Sequence, residues 1–295
     1  MPPLLASRRG RACAAAAAVL ALTAGARTVM APHPTAPHRP PTAAELTAQG
    51  LRPPIYATLY AYSPTAARVK RAEQQLAVDC MAGKGFTLRP APVAGPQDPV
   101  SRPTPFGTET LAAPAEPQPL PAEHPESEAF GRALYGDPAR TLTVKGSRIR
   151  VRIPRAGCQA EAEERLLGDG RERWLAVRIS LGEGETKALA RLGSDPDYRD
   201  ALEHWRTCMH GAGIDARDPV DMARALPHDR ELREHPAIAA DVRCKLRTGF
   251  LATAYRRLAV VQQEWLDTHP DVLASRRALL ARQAAAADRV LGPAG

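Results

Sequence analysis

The sequence predicts a mainly α-helical domain that carries one small β-hairpin at about 141–154 and is stapled by two disulfides. Three observations lead there. Proline-led starts and glycine stops bracket apolar residues at helical spacing over much of the chain. Between Thr141 and Pro154 the apolar period shortens to two. A heptapeptide is repeated as well: Cys80-Met81-Ala82-Gly83-Lys84-Gly85-Phe86 is echoed by Cys208-Met209-His210-Gly211-Ala212-Gly213-Ile214.

The chain opens as a secretory leader. Arg8, Arg9 and Arg11 precede an apolar run from Ala12 to Ala26, which ends in the small residues Ala24-Gly25-Ala26. That run is shorter than the ~20 residues a spanning helix needs, so the expectation is a signal peptide over 1–26, cleaved after Ala26. No later segment reaches spanning length, and no transmembrane helix is expected once the leader is gone. Removing it lowers Lys+Arg from 40 to 37 against 32 acids, a formal charge of +5 instead of +8. This modest excess suits anionic surfaces, and no nucleic-acid motif accompanies it.

Residues 27–54 hold Pro32, Pro34, Pro37, Pro40, Pro41, Pro53 and Pro54 with little to build a core, and they read as an extended, mobile arm. His33 and His38 fall in it as solvated residues. A single helical domain is expected over 55–295, with structure beginning near Ser63. Ser63-Pro64 supplies an N-cap and a first-turn proline, Val69, Leu76 and Cys80 follow at helical spacing, and Gly83 and Gly85 stop the helix. From about 89 to 125 the chain turns proline- and glycine-rich again and reads as a surface excursion.

In the hairpin, Leu142 and Val144 alternate before Lys145-Gly146-Ser147, and Ile149, Val151 and Ile153 alternate after it. Beyond Gly157-Cys158 helices follow over 159–167, 171–192, 196–211, 219–226, 236–247, 249–267 and 270–291. Gly182 and Gly184 weaken the second of these, and Glu183 and Glu185 beside them read as solvated. The helix after Asp195-Pro196 is the best marked, with Tyr198, Ala201, Leu202, Trp205 and Met209 in one stripe. With aromatics at only 4%, the core must be Ala, Leu and Val, which bury little area per residue, so crosslinks would help it.

Four cysteines remain after the leader and permit three full pairings, which spacing alone does not resolve. If the Cys-Met repeat reflects duplication, each such helix owns one downstream partner, giving Cys80–Cys158 and Cys208–Cys244. A copper or zinc site is the sharper alternative. His204 and Cys208 share a helix face, and Met209, His210, His228, His235 and Cys244 lie in the same half. No Cys-x-x-Cys or His-x-x-x-His supports it, so no cofactor or metal is expected, and His204, Cys208 and Cys244 stand as the weak alternative set. Cys158, at a helix N-terminus, is a weak nucleophile candidate.

Catalytic patterns are missing. There is no Gly-x-Ser-x-Gly, His-Glu-x-x-His or phosphate-cradling glycine loop, and Glu161, Glu163 and Glu164 are explained as first-turn acids of a helix. Lys145, Arg148, Arg150, Arg152 and Arg155 form a basic strand with no acid between Thr141 and Ala160. They suit contact with an anionic surface, or else guard a strand edge against pairing between molecules.

Five segments carry a resemblance: Asp79-Cys80-Met81 with Gly85-Phe86, Tyr135-Gly136-Asp137-Pro138, Gly157-Cys158-Gln159-Ala160-Glu161-Ala162, Trp205-Arg206-Thr207-Cys208-Met209, and Asp241-Val242-Arg243-Cys244. In this order, over about 60–270, the chain resembles a family of exported, functionally uncharacterised proteins of actinobacterial type. The resemblance implies export, a helical fold and paired cysteines, and it brings no activity. The function expected is therefore a non-enzymatic extracytoplasmic interaction or accessory protein of the cell envelope. Its partner would be an envelope protein or an anionic cell-surface polymer, not nucleic acid. A cell-envelope hydrolase is the alternative, and a copper or zinc handling protein the second.

Overall fold

Helix starts in this chain are written in local chemistry. A computed structural model describes residues 53–96, 104–111, 127–226 and 235–292. The helices are α1 (Pro54–Tyr60), α2 (Pro64–Gly83), α3 (Glu128–Tyr135), α4 (Cys158–Leu167), α5 (Arg171–Leu192), α6 (Pro196–Gly211), α7 (Pro219–Ala225), α8 (Pro236–Arg247), α9 (Phe250–Asp267) and α10 (Pro270–Leu291). Strands β1 (Thr141–Lys145) and β2 (Arg150–Pro154) sit between α3 and α4. Proline opens α1, α2, α6, α7, α8 and α10, where its missing N–H costs nothing. Ser63 caps α2 by accepting from the Ala66 N–H, Asp195 caps α6 through Tyr198, and Asp218 caps α7 through Val220 and Asp221.

The described residues form several apolar clusters. Trp205, Met209, Ile238, Phe250 and Leu258 join α6, α8 and α9 in the largest one. Val69, Ala72, Leu76, Ala162, Leu166, Ala286 and Ala287 join α2, α4 and α10 in a core of small side chains. Against α5, the indole of Trp265 lies so close to Gly184 that an added Cβ would fall 2.7 Å from the ring. Gly184 is therefore a packing requirement and not the weak point its composition suggests.

The structure departs from the sequence reading at both proline-rich boundaries. The expected leader over 1–26 and residues 27–52 of the expected arm lie outside the described residues. Structure begins before Ser63, because Pro53-Pro54 starts α1, and Ile55 and Tyr56 are buried on it. The Ile55 N–H donates to Gln262 Oε1 at 2.8 Å, which ties α1 to α9. Within the expected 89–125 excursion, residues 104–111 form a strap across the largest core. Phe106 is 2% exposed and its ring lies 5.1, 5.9 and 6.0 Å from those of Tyr255, Phe250 and Tyr198. A single aromatic thus turns a polar segment into core. Residues 97–103 and 112–126 lie outside the described residues.

The hairpin forms as expected, with Leu142 opposite Ile153 and Val144 opposite Val151 on the inward face. Val144 is buried, and β1 rests on α5. Ile149 does not join that face. It belongs to the four-residue turn, closed by the Gly146 N–H to the Ile149 carbonyl at 2.8 Å, and stands half exposed. Where α3 exits and α4 begins, Gly136 (φ +83°) and Gly157 (φ +102°) touch backbone to backbone. A Cβ on Gly157 would sit 2.4 Å from the Gly136 nitrogen. Both positions demand glycine by conformation and by space.

Candidate functional site

The hairpin turn is held from beneath by one carboxylate. Glu183 projects from α5 and accepts from the Ser147 N–H (2.9 Å) and hydroxyl (2.6 Å) at Oε2. At Oε1 it accepts from the N–H groups of Arg148 (2.7 Å) and Ile149 (3.3 Å). Far from being solvated, it supplies the partners that an exposed turn lacks. The Ser147 hydroxyl, followed by these backbone donors, holds its pKa down at about 2, well below the usual carboxylate range. The stabilisation Glu183 gives is complete above the unfolded carboxylate value of roughly 4.3 and is lost as pH falls toward about 2. The stability difference between the native protein and E183Q, measured by urea unfolding at a series of pH values, should therefore shrink steadily across that window. A difference that does not change with pH would refute the anchoring role.

Above this anchor the outward face is basic. Lys145 lies directly opposite Arg150 in the ladder, and Arg152 lies opposite Thr143. Like charges facing across a pair of strands repel, so this arrangement costs stability in the free protein. Lys145, Arg148, Arg150, Arg152 and Arg155 are all exposed. Among the described residues, none of their side chains forms an ion pair, in contrast to Arg68, Arg171 or Arg257.

Both disulfides are present, Cys80–Cys158 and Cys208–Cys244, with Cα separations of 5.5 and 5.7 Å. The repeated heptapeptide is one structural device used twice. In each copy the cysteine sits in the last turn, the next methionine is fully buried, and the second glycine turns left-handed (φ +82° at Gly85, +77° at Gly213). The chain then folds back, with the Phe86 N–H on the Met81 carbonyl and the Ile214 N–H on the Met209 carbonyl, at 2.9 and 3.0 Å. The partners are not alike. Cys158 is the first residue of α4, whereas Cys244 lies in the last turns of α8. The likeness stops at the cysteine-bearing helix.

A groove lies over each bridge. That over Cys208–Cys244, of about 470 Å³, runs between α6 and α8 and is lined by His204, Thr207, Arg243 and Arg247. The other, of about 330 Å³, lies over Cys80 beside Asp79, Lys84, Glu161 and Arg165. His204, Cys208 and Cys244 do converge, as the metal alternative requires, but the two sulfurs are bonded to each other and offer no thiolate. Among the described residues no group of three His, Cys, Asp or Glu is placed to hold a metal ion. His210 pairs with Asp215 at 2.9 Å, and His235 caps α8 by accepting from the Ala237 N–H. His228 lies outside the described residues. Cys158, the nucleophile candidate, is spent in its bridge.

A buried ion pair lies in the largest core. Lys245 Nζ contacts Asp241 Oδ2 at 2.6 Å with both side chains fully buried, and Trp205 Nε1 donates to Asp241 Oδ1 at 3.0 Å. Lys245 also donates to the Thr108 carbonyl of the strap at 2.7 Å. Burial pushes Asp241 up and Lys245 down, and each opposes the shift of the other. Nearby, Tyr60 donates to Glu185 at 2.9 Å and Tyr255 donates to Glu109, so Glu185 too is engaged instead of solvated. Burial and then the Glu185 bond raise the Tyr60 phenol to about 12. The two carboxylates with the most altered surroundings, Glu183 and Asp241, therefore serve the hairpin anchor and the core. The signal in the sequence was the i, i+4 spacing of Asp241 and Lys245, which surface pairs share.

No family model, curated protein or solved structure matches the chain. No helix among the described residues is long and apolar enough to cross a membrane.

Proposed function

We propose that this chain is an exported, non-enzymatic accessory protein of the cell envelope whose hairpin holds an anionic surface polymer. The observation that carries the reading is the basic hairpin: Lys145, Arg150 and Arg152 on its outward face, with Arg148 in the turn and Arg155 just beyond β2, all exposed and without an acidic partner among the described residues, and Lys145 and Arg150 opposed across the ladder. A polyanion laid along that face would remove the repulsion between Lys145 and Arg150, so binding gains what the free hairpin loses. The leader-like run to Ala26 and the two bridges support export, since such crosslinks persist in oxidising compartments. The resemblance to exported actinobacterial-type proteins supports the same reading.

The test is retention of the full chain on an immobilised glycerol-phosphate polymer. Retention should fall as salt rises, because exposed charges are screened beyond about 8 Å at physiological ionic strength. The triple variant K145Q/R150Q/R152Q should bind about tenfold or more weakly while unfolding at a urea concentration no lower than that of the native protein, since the repulsion between Lys145 and Arg150 is gone. Undiminished binding by that variant would sink the proposal. A variant that binds normally but self-associates would assign these charges to guarding the strand edge instead.

A further inference from the structure

We infer that the groove over Cys208–Cys244 is a binding site for a single oxyanion group, phosphate or carboxylate. Arg243 and Arg247 stand one turn apart on α8 and line the groove from one side, with His204 of α6 on the other. Both guanidinium groups are exposed, and neither forms an ion pair or hydrogen bond among the described residues. No carboxylate lines the groove. Asp200, one turn back along α6 and outside the lining, stands 3.8 Å from His204 Nδ1. Two planar guanidinium forks at one turn's spacing match the paired oxygens of a phosphate or carboxylate.

The companion groove shows that this charge is not a by-product of the shared architecture. It lies over the other bridge and beside the same helix-end motif, yet there Lys84 faces Glu161 at 3.7 Å, and Asp79 and Arg165 add one charge of each sign. One groove is balanced within itself and the other is left positive. Placement of Arg247 in the last turn of α8 complements the carbonyl end of that helix. That role does not extend to His204, which arrives from a different helix.

The Cys208–Cys244 bridge forms part of the lining, so an anion held there should shield that disulfide and leave Cys80–Cys158 as exposed as before. The experiment uses the full chain with both bridges formed. Inorganic phosphate and, separately, acetate are titrated at constant ionic strength while the Arg243 and Arg247 side-chain N–H signals are followed by NMR. At each end point the two bridges are scored for reduction by a neutral thiol through peptide mapping. Saturable shifts with at least one of the anions are expected, together with slower reduction of Cys208–Cys244 alone. R243Q or R247Q should weaken the response about tenfold. A response to phosphate only assigns a phosphate ligand, and a response to acetate only assigns a carboxylate. No saturation with either anion, or anion protection of Cys208–Cys244 that is unchanged in R243Q/R247Q, would overturn the inference. The hairpin variant K145Q/R150Q/R152Q should respond normally, so failure here and failure of the polymer reading are read separately.

Discussion

Lys245→Met should destabilise the fold by about 3–5 kcal/mol, because it leaves Asp241 as an unpaired charge in a site with no exposed side-chain surface. Trp205 still donates to Oδ1 in the variant, but one neutral donor does not replace an ammonium at 2.6 Å. The loss has a direction in pH. Without Lys245 the buried Asp241 carboxyl has a folded pKa further above its unfolded value, so the protonated form is the one the fold favours. Relative stability should thus recover below the ordinary carboxylate range and fall as pH rises through the raised value. Pairing the change with Asp241→Asn removes the charge and keeps an acceptor for Trp205, and D241N/K245M should regain most of the loss. Urea unfolding of the single and double variants between pH 3 and 8 decides it. A single variant within 1 kcal/mol of the native protein would show that the pair does not act as a buried ion pair. The strap reports on the same change: Thr108 loses its donor, and amide exchange across 104–111 should quicken.

Removing either bridge ranks beside that change. Loops of 78 and 36 residues are closed by Cys80–Cys158 and Cys208–Cys244, and chain entropy assigns them about 4.5 and about 3.8 kcal/mol. Domains of this kind hold a total of only roughly 5–15 kcal/mol, so each bridge carries a large share. C80A/C158A and C208A/C244A should each lower the urea midpoint sharply, and the variant lacking all four bridge cysteines should be mostly unfolded at 37 °C. The effects should differ in place. Loss of Cys80–Cys158 frees the small-residue core of α2 and α4, and loss of Cys208–Cys244 frees the aromatic core of α6 and α8. Midpoints within the error of the native protein for both pair variants would mean that packing alone sustains the fold.

What could be read from the sequence was what neighbours along the chain decide. Ser63-Pro64 and Asp195-Pro196 begin helices through contacts three residues away. The Cys-Met ends terminate through bonds spanning five residues, and the hairpin announces itself by alternation. The pairing of cysteines followed from treating the two ends as copies, although their partner helices prove to be different. What escaped was decided at long range. Glu183 looks solvated between two glycines until a turn about 36 residues earlier supplies four donors. Gly184 looks like a weak point until Trp265 lies across it. Phe106 sits among prolines and polar residues, and only the facing rings of α9 and α6 make it core. Lys245 resembles its neighbours Arg243 and Arg247, yet one turns inward to Asp241 and the other two face the groove. The basic residues of the hairpin were legible as a group, whereas their register, with Lys145 against Arg150, needed the ladder.

The small-residue core has a consequence for the order of assembly. Its alanine faces on α2 and α4 are completed by Ala286 and Ala287 of α10, which the ribosome makes about a hundred residues after α4 ends. Arg68 meets Asp288 across a separation of 220 residues, among the latest contacts the chain can form. In a chain that emerges N-terminus first, α2 and α4 wait with an open apolar side. Cys80 and Cys158 are already available during that wait. A Cys80–Cys158 bridge closed in an oxidising compartment before α10 packs would hold α2 and α4 together while their third wall is still missing, an assembly jig before it is a source of stability.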